Sequence, residues 1–231
     1  MTIKQTKIGW SFWLKWVLVT TIGFIIFTIV LFFFGKAVAF IINYPHEEHF
    51  FYWLAYKIYF ISICAGVAII QWFILRKVIS RVGWWAPAIA AGFVLVSIVL
   101  YALPITRKHI LDTGYAFADN LSWIMFLALG GILAGVFQWF FLRRQISRAG
   151  WWVLANAVGW SLGAVGWWLS DLFLFKWIYP ISPASGFLDF LLIFAHGLSV
   201  LLFGIIMSAV TGGALVWLLR QLVNVKSITP T

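Results

Sequence analysis

The chain has 231 residues, of which 64% are hydrophobic, 20% aromatic and only 10% charged. About a quarter of a soluble domain is charged, so this composition excludes an ordinary globular domain and predicts a membrane protein. The net charge of +10 would draw a soluble protein to nucleic acid, but no long basic soluble surface is left to track phosphates, so no nucleic-acid partner is expected.

In chain order, six apolar stretches stand out, at approximately residues 16–42, 52–75, 82–104, 120–142, 150–171 and 190–219. Each is long enough to cross a hydrocarbon core of about 30 Å at about 1.5 Å per residue. The expected fold is an all-α integral membrane protein, a six-transmembrane-helix bundle forming a single transmembrane domain over residues 1–231. The basic start followed by an apolar run imitates a signal peptide, and Ala37-Val38-Ala39 imitates its cleavage site. The apolar run greatly exceeds the usual length of about 7–15 residues, so it reads as an uncleaved first span. Trp10, Trp13 and Trp16 lead into that span at three-residue spacing, predicting a stripe at headgroup depth. Cys64, the only cysteine, lies in the second span, allows no disulfide and reads as a small hydrophobe.

The second and third spans meet at QWFILRKVISRVGWW, residues 71–85, and the fourth and fifth at QWFFLRRQISRAGWW, residues 138–152. The two segments lie 67 positions apart and match at eleven of fifteen positions. The unit is therefore a duplicated hairpin. Trp72 and Trp139 lie one turn before the first arginine, at aromatic-belt depth. Arg76, Arg81, Arg143 and Arg148 are interface anchors that can snorkel to lipid phosphates. Gly83 and Gly150 are expected to permit the reversal, and the following tryptophan pairs to anchor the returning helix. Gln71 and Gln138 lie about 7.5 Å deeper than the arginines and need inter-helix hydrogen bonds; a substrate contact is the sharper alternative. A third, split copy is expected. Trp217 to Arg220 echoes the first half, and Lys7 to Trp10 echoes Arg148 to Trp151. Three hairpins would then stand in a pseudo-threefold arrangement, with the first and last spans as neighbours. Gly131/Gly135, Gly159/Gly163 and Ser208/Gly212 have the four-residue spacing that lets helix backbones approach.

With the amino terminus inside, the inner segments carry eleven cations and no acid, while all six acids lie in the outer segments together with Lys36, Lys57, Arg107, Lys108 and Lys176. The positive-inside rule puts both termini in the cytoplasm. The outer loops hold the greater chemical variety. His46, Glu47, Glu48 and His49 in the first could bind a divalent metal, although solvated loop charge is the simpler reading. His196 lies about 10 Å into the sixth span, where an ionisable group usually faces the bundle interior. It could ligate a haem iron or a chlorophyll magnesium, with Ala195 and Gly197 leaving room for a flat macrocycle, or simply hydrogen-bond a neighbouring helix. No nucleophile elbow, phosphate loop or paired intramembrane carboxylate is present, so no enzyme is expected.

The repeated Gln-Trp-x-x-Leu-Arg followed by Gly-Trp-Trp resembles multi-pass bacterial membrane proteins, frequent in cyanobacteria, that carry this pattern across spans two to five. The resemblance implies a small integral membrane protein of the plasma or thylakoid membrane and carries over no catalytic residue. The function expected is a non-enzymatic subunit or scaffold that packs against the lipid bilayer and other membrane-protein subunits or itself. The alternatives are a pigment- or haem-binding protein using His196, and a small-molecule permease or channel with an outward vestibule. A central polar cavity lined by Gln71, Gln138 and Asn156 would favour the permease.

Overall fold

A computed structural model describes residues 9–42, 49–79, 82–102, 116–178 and 185–228, with side chains over 9–34, 57–79, 82–100, 123–173 and 194–221. All regular structure among the described residues is helical: α1 (Trp10–Ile42), α2 (His49–Leu75), α3 (Trp85–Ala102), α4 (Ala116–Leu142), α5 (Gly150–Ile178) and α6 (Ser185–Ile228). Four helical segments are long and apolar enough to cross a membrane: Trp10–Phe34, Lys57–Leu75, Trp123–Leu142 and Phe194–Gln221. The apolar part of α3 is shorter, Trp85–Leu100. In α5, six tryptophans with glycine, serine and Asp171 dilute the hydropathy of a helix whose length alone would suffice.

Each helix packs against its neighbours in sequence, and α6 returns to pack against α1, closing a ring. Neighbours run antiparallel. Along the α1/α6 seam, Trp16, Thr21 and Phe24 meet Thr211, Ser208 and Phe203 in descending order. The basic residues Lys15, Arg76, Arg143 and Arg220 consequently gather at one end of the ring, and Lys57, Asp171 and His196 lie toward the other.

Polarity is distributed inside-out. On α1, Leu14, Leu18, Ile22, Ile26, Ile29 and Phe33 point outward, all at least half exposed or nearly so, whereas Thr20, Thr21 and Thr28 are buried. Such a surface suits hydrocarbon and not water, because no hydrophobic gain is left for hiding leucine from lipid, while small and hydroxylated side chains pack helices together. Glycines serve that purpose at the seams. A Cβ on Gly92 would stand 2.5 Å from the backbone nitrogen of Ala134, and one on Gly163 2.9 Å from the Phe203 ring. The spaced pairs read from sequence all lie at helix contacts: Gly131 on Trp160, Gly135 on Asn156, Gly159 on Met207 and Gly212 on Trp16.

The interior is filled along its axis by interlocking rings. Phe93 touches Trp160 (4.8 Å between centroids), Phe126 (5.4 Å) and Phe60 (5.6 Å), and Trp160 touches Phe203 (5.4 Å) and Phe24 (6.3 Å). Edge-to-face and tilted rings of this kind add to the packing beyond their area.

One expectation is corrected. Trp16 does not continue the interfacial stripe of Trp10 and Trp13: it is 1% exposed and belongs to the core. At the reversals neither Gly83 nor Gly150 has a positive φ, and a Cβ on either would meet nothing within 4 Å. Lys57, on the outer side, is 4% exposed, with Nζ 3.7 Å from the centroids of both Trp123 and Phe126. An ammonium held between helices is stabilised by the faces of aromatic rings.

Candidate functional sites

The duplicated segment builds the same small structure twice. Arg76 lies over Trp72 and Phe73 at 5.0 and 4.6 Å, and Arg143 over Trp139 and Phe140 at 4.9 and 4.8 Å. Both arginines, exposed overall, thus lay their guanidiniums over the aromatic pair one turn back. Arg148 is also exposed at this end; Arg81 lies outside the described residues. Beneath the turns, Ile79 accompanies Val82 into the core and Ile146 accompanies Ala149, and the backbone N–H groups of Trp85 and Trp152 donate to the carbonyls of Val82 (3.0 Å) and Ala149 (2.9 Å) as the returning helices start.

One level deeper lies a polar layer. Trp85 Nε1 donates to Gln71 Oε1 at 3.1 Å, and Trp152 Nε1 donates to Gln138 Oε1 at 2.8 Å. Indole is a donor only, so each bond fixes which end of the glutamine amide faces away. The freed Nε2 of Gln71 donates to Thr20 Oγ1 of α1 at 3.1 Å. On the third side of the ring, Trp16 Nε1 donates to Thr211 Oγ1 at 3.3 Å. Three tryptophans, each bonded to a polar side chain of the helix before it around the ring, therefore share one level. Their rings also meet, Trp16 to Trp85 at 6.4 Å and Trp85 to Trp152 at 5.3 Å.

The layer is incomplete at one atom. Gln138 Nε2 is buried without a hydrogen-bond partner. It borders a cavity of about 10 Å³ lined also by Gln71, Ile89, Asn156 and Thr211. That volume is just sufficient for a single water molecule. Asn156 spends one amide hydrogen on the carbonyl of Trp152, 2.9 Å away. The polar cavity lined by Gln71, Gln138 and Asn156 therefore exists, but it is far smaller than the several hundred Å³ of ordinary ligand pockets.

A second cluster occupies the opposite half of the α5/α6 seam. The Asp171 carboxylate receives one hydrogen bond from Trp167 Nε1 (2.7 Å) and another from Ser199 Oγ. His196, one turn before Ser199, packs its ring edge-on to Trp167, 5.2 Å between centroids, and interacts electrostatically with Asp171. Asp171 and His196 are both half-buried. With both oxygens engaged, the carboxylate is held as a fixed acceptor beside the imidazole. Gly197 opens onto free space next to it. No set of three or more metal-ligating side chains exists among the described residues. His46 and Glu47 lie outside the described residues, and His49 is described only as the first residue of α2.

His196 was legible as a buried ionisable group. Its neighbours were not singled out, although Trp167/Asp171 and His196/Ser199 carry the four- and three-residue spacings that put two side chains on one helix face. The Trp–Gln bonds left a signal too: the same two residue types recur 14 positions apart in both copies. No family model, curated protein or solved structure matches the chain.

Proposed function

We propose that the protein is a six-span integral membrane protein of a bacterial plasma or thylakoid membrane that serves as a non-enzymatic subunit or scaffold, packing through its outer face against other membrane-protein subunits or itself. The observation that carries this reading is the aromatic filling of the ring axis. Phe24, Phe60, Phe93, Phe126, Trp160 and Phe203 are each at most 3% exposed, so among the described residues the axis is filled by side chains and not left open. The chemistry faces outward instead, as an apolar surface on every side.

In this reading the ring is three hairpins about a pseudo-threefold axis, pairing α2 with α3, α4 with α5 and α6 with α1. Support comes from residues of like role at like level. Trp85 and Trp152 correspond to Trp16, Gly92 and Gly159 to Gly23, Phe93 and Trp160 to Phe24, and Gln71 and Gln138 to Thr211. This register differs by about one helical turn from the sequence echoes at Trp10 and Trp217. The third unit has no turn joining its helices, so its tryptophan anchors need not keep step with the other two. The basic end, carrying Arg76, Arg143 and Arg220, faces the cytoplasm on the positive-inside rule.

The test is a pair of measurements on the full chain. After mild solubilisation from its native membrane, the protein should migrate on a native gel in an assembly well above its 26.3 kDa monomer. In liposomes it should pass no small solute faster than empty vesicles do. A monomer in the first experiment, or solute flux in the second, sinks the scaffold reading, and the second outcome would favour the permease. Strong visible absorbance lost on His196→Ala would favour the chromophore-binding alternative.

A further inference from the structure

We propose that the groove between the start of α1 and the neighbouring part of α6 is a binding site for one anionic phospholipid, its acyl chain in the groove and its headgroup phosphate on Arg220. This rests on the membrane-embedded reading above. The groove holds about 290 Å³ and its walls include Trp10, Trp13, Val216, Trp217 and Arg220. Apart from the guanidinium, those side chains offer almost only carbon and ring surface.

The groove exists because of how the ring is closed. At the other two hairpins of this end, a turn covers the gap between helix ends and buries Ile79 with Val82 or Ile146 with Ala149. No turn joins α1 to α6, since one begins the described helices and the other ends them. Small residues keep the space open: a Cβ on Gly213 would meet only the Trp13 indole nitrogen, 3.9 Å away.

The walls are held in place. Trp13 Nε1 donates to the Ala209 carbonyl at 3.1 Å, which fixes its ring against α6. Trp10 stands edge-on to Trp13 at 5.4 Å and is 77% exposed, and Trp217 stands edge-on to Trp151 at 6.1 Å. Rigid rings lose little freedom on receiving a chain.

Charge selects the headgroup. Arg220 lies one turn beyond Trp217, on the side of the basic end, the relation that Arg76 bears to Trp72 and Arg143 to Trp139. A planar guanidinium at phosphate depth binds a phosphodiester bidentately, and the basic end as a whole favours a net negative lipid over a zwitterionic one. Arg220 places such a cation at the edge of the apolar groove.

The experiment is native mass spectrometry of the delipidated full-length protein titrated with phosphatidylglycerol or phosphatidylcholine. One phosphatidylglycerol should be retained on the wild type at energies that strip the others, with phosphatidylcholine retained less. Arg220→Gln should lower that occupancy by about fivefold, and Gly213→Leu, which fills the groove, should abolish it. Arg143→Gln should retain it. Equal retention by Arg220→Gln and wild type, or by the two lipids, overturns the proposal. So does retention that appears only when residues 1–8 are deleted, which would make that segment the occupant. Resistance to alkaline carbonate extraction is measured on the same preparations. Loss of lipid selectivity in a carbonate-resistant protein refutes the lipid site alone, whereas extraction into the soluble fraction refutes the membrane reading beneath it.

Discussion

At the residue scale, the polar layer is defined by which end of each glutamine amide faces the axis. Gln71 and Gln138 are the same residue in the same repeat, and each accepts from its own tryptophan. Their second halves differ because the position that holds Thr20 beside Gln71 is held by Ile89 beside Gln138. Isoleucine has no acceptor, so the Gln138 amide hydrogens are left facing the small cavity. Replacing Ile89 by threonine should supply the missing acceptor. Against Ile89→Val, a control of similar size without a hydroxyl, Ile89→Thr is expected to be more stable by about 1 kcal/mol. Thermal unfolding in detergent checks this, and a threonine variant no more stable than the valine one would show that the amide is satisfied by other means. In the reverse direction, Trp152→Phe keeps the ring but deprives Gln138 Oε1 of its donor. A loss of about 1–3 kcal/mol is expected, whereas Trp151→Phe, at the exposed neighbouring position, should change the midpoint little.

At the element scale, the helices are specified by two different kinds of information, of which only one is visible along the chain. The apolar runs are bracketed by lysines, arginines and acids, and each overlaps one helix, although α1 begins six residues before its run and α5 and α6 end seven and nine residues after theirs. Which side of each helix faces inward is hard to read, because in a membrane the outward face is as apolar as the core. The glycines show the difference. A Cβ on either turn glycine, Gly83 or Gly150, would meet nothing within 4 Å, while one on Gly92, in mid-helix, would run into the Ala134 backbone. Gly83→Ala is therefore expected to leave stability within about 0.5 kcal/mol of wild type. Gly92→Leu should force α3 from α4 and cost about 1–3 kcal/mol or more. If the two substitutions had equal effects on unfolding temperature, the close approach of α3 and α4 would be wrong. Lys57 shows the same limit: the sequence places it on the outer side of the second span, and only its aromatic neighbours on α4 reveal that it turns inward.

At the scale of the whole molecule, the proposed pairing of α6 with α1 as a third hairpin accounts for why only two hairpins show as repeats along the sequence. In the first two units a tight basic turn constrains Gln, Trp, Arg and Gly to fixed spacing, so sequence identity persists. In the third the two helices come from opposite ends of the chain and are constrained only by packing, which tolerates threonine for glutamine and a shift of one turn. The proposed topology has a direct test. Cys64 is the sole cysteine and is buried, so new cysteines report without background. Ser227→Cys should resist a membrane-impermeant maleimide applied to intact cells, and Lys108→Cys should react. The opposite pattern would invert the protein, and labelling of both would break the even number of spans.

The non-covalent seam between α1 and α6 also bears on biogenesis. The helix made first finds one of its two neighbours, α2, almost at once, but waits for the other until the last helix leaves the ribosome. Throughout synthesis the edge of α1 bearing Trp16, Thr21, Phe24 and the Trp13 indole has no mate, even though its threonines and indoles need hydrogen bonds that lipid cannot supply. On the proposed membrane reading, the half-made protein is thus an open crescent whose α1 edge is paired only once α6 arrives.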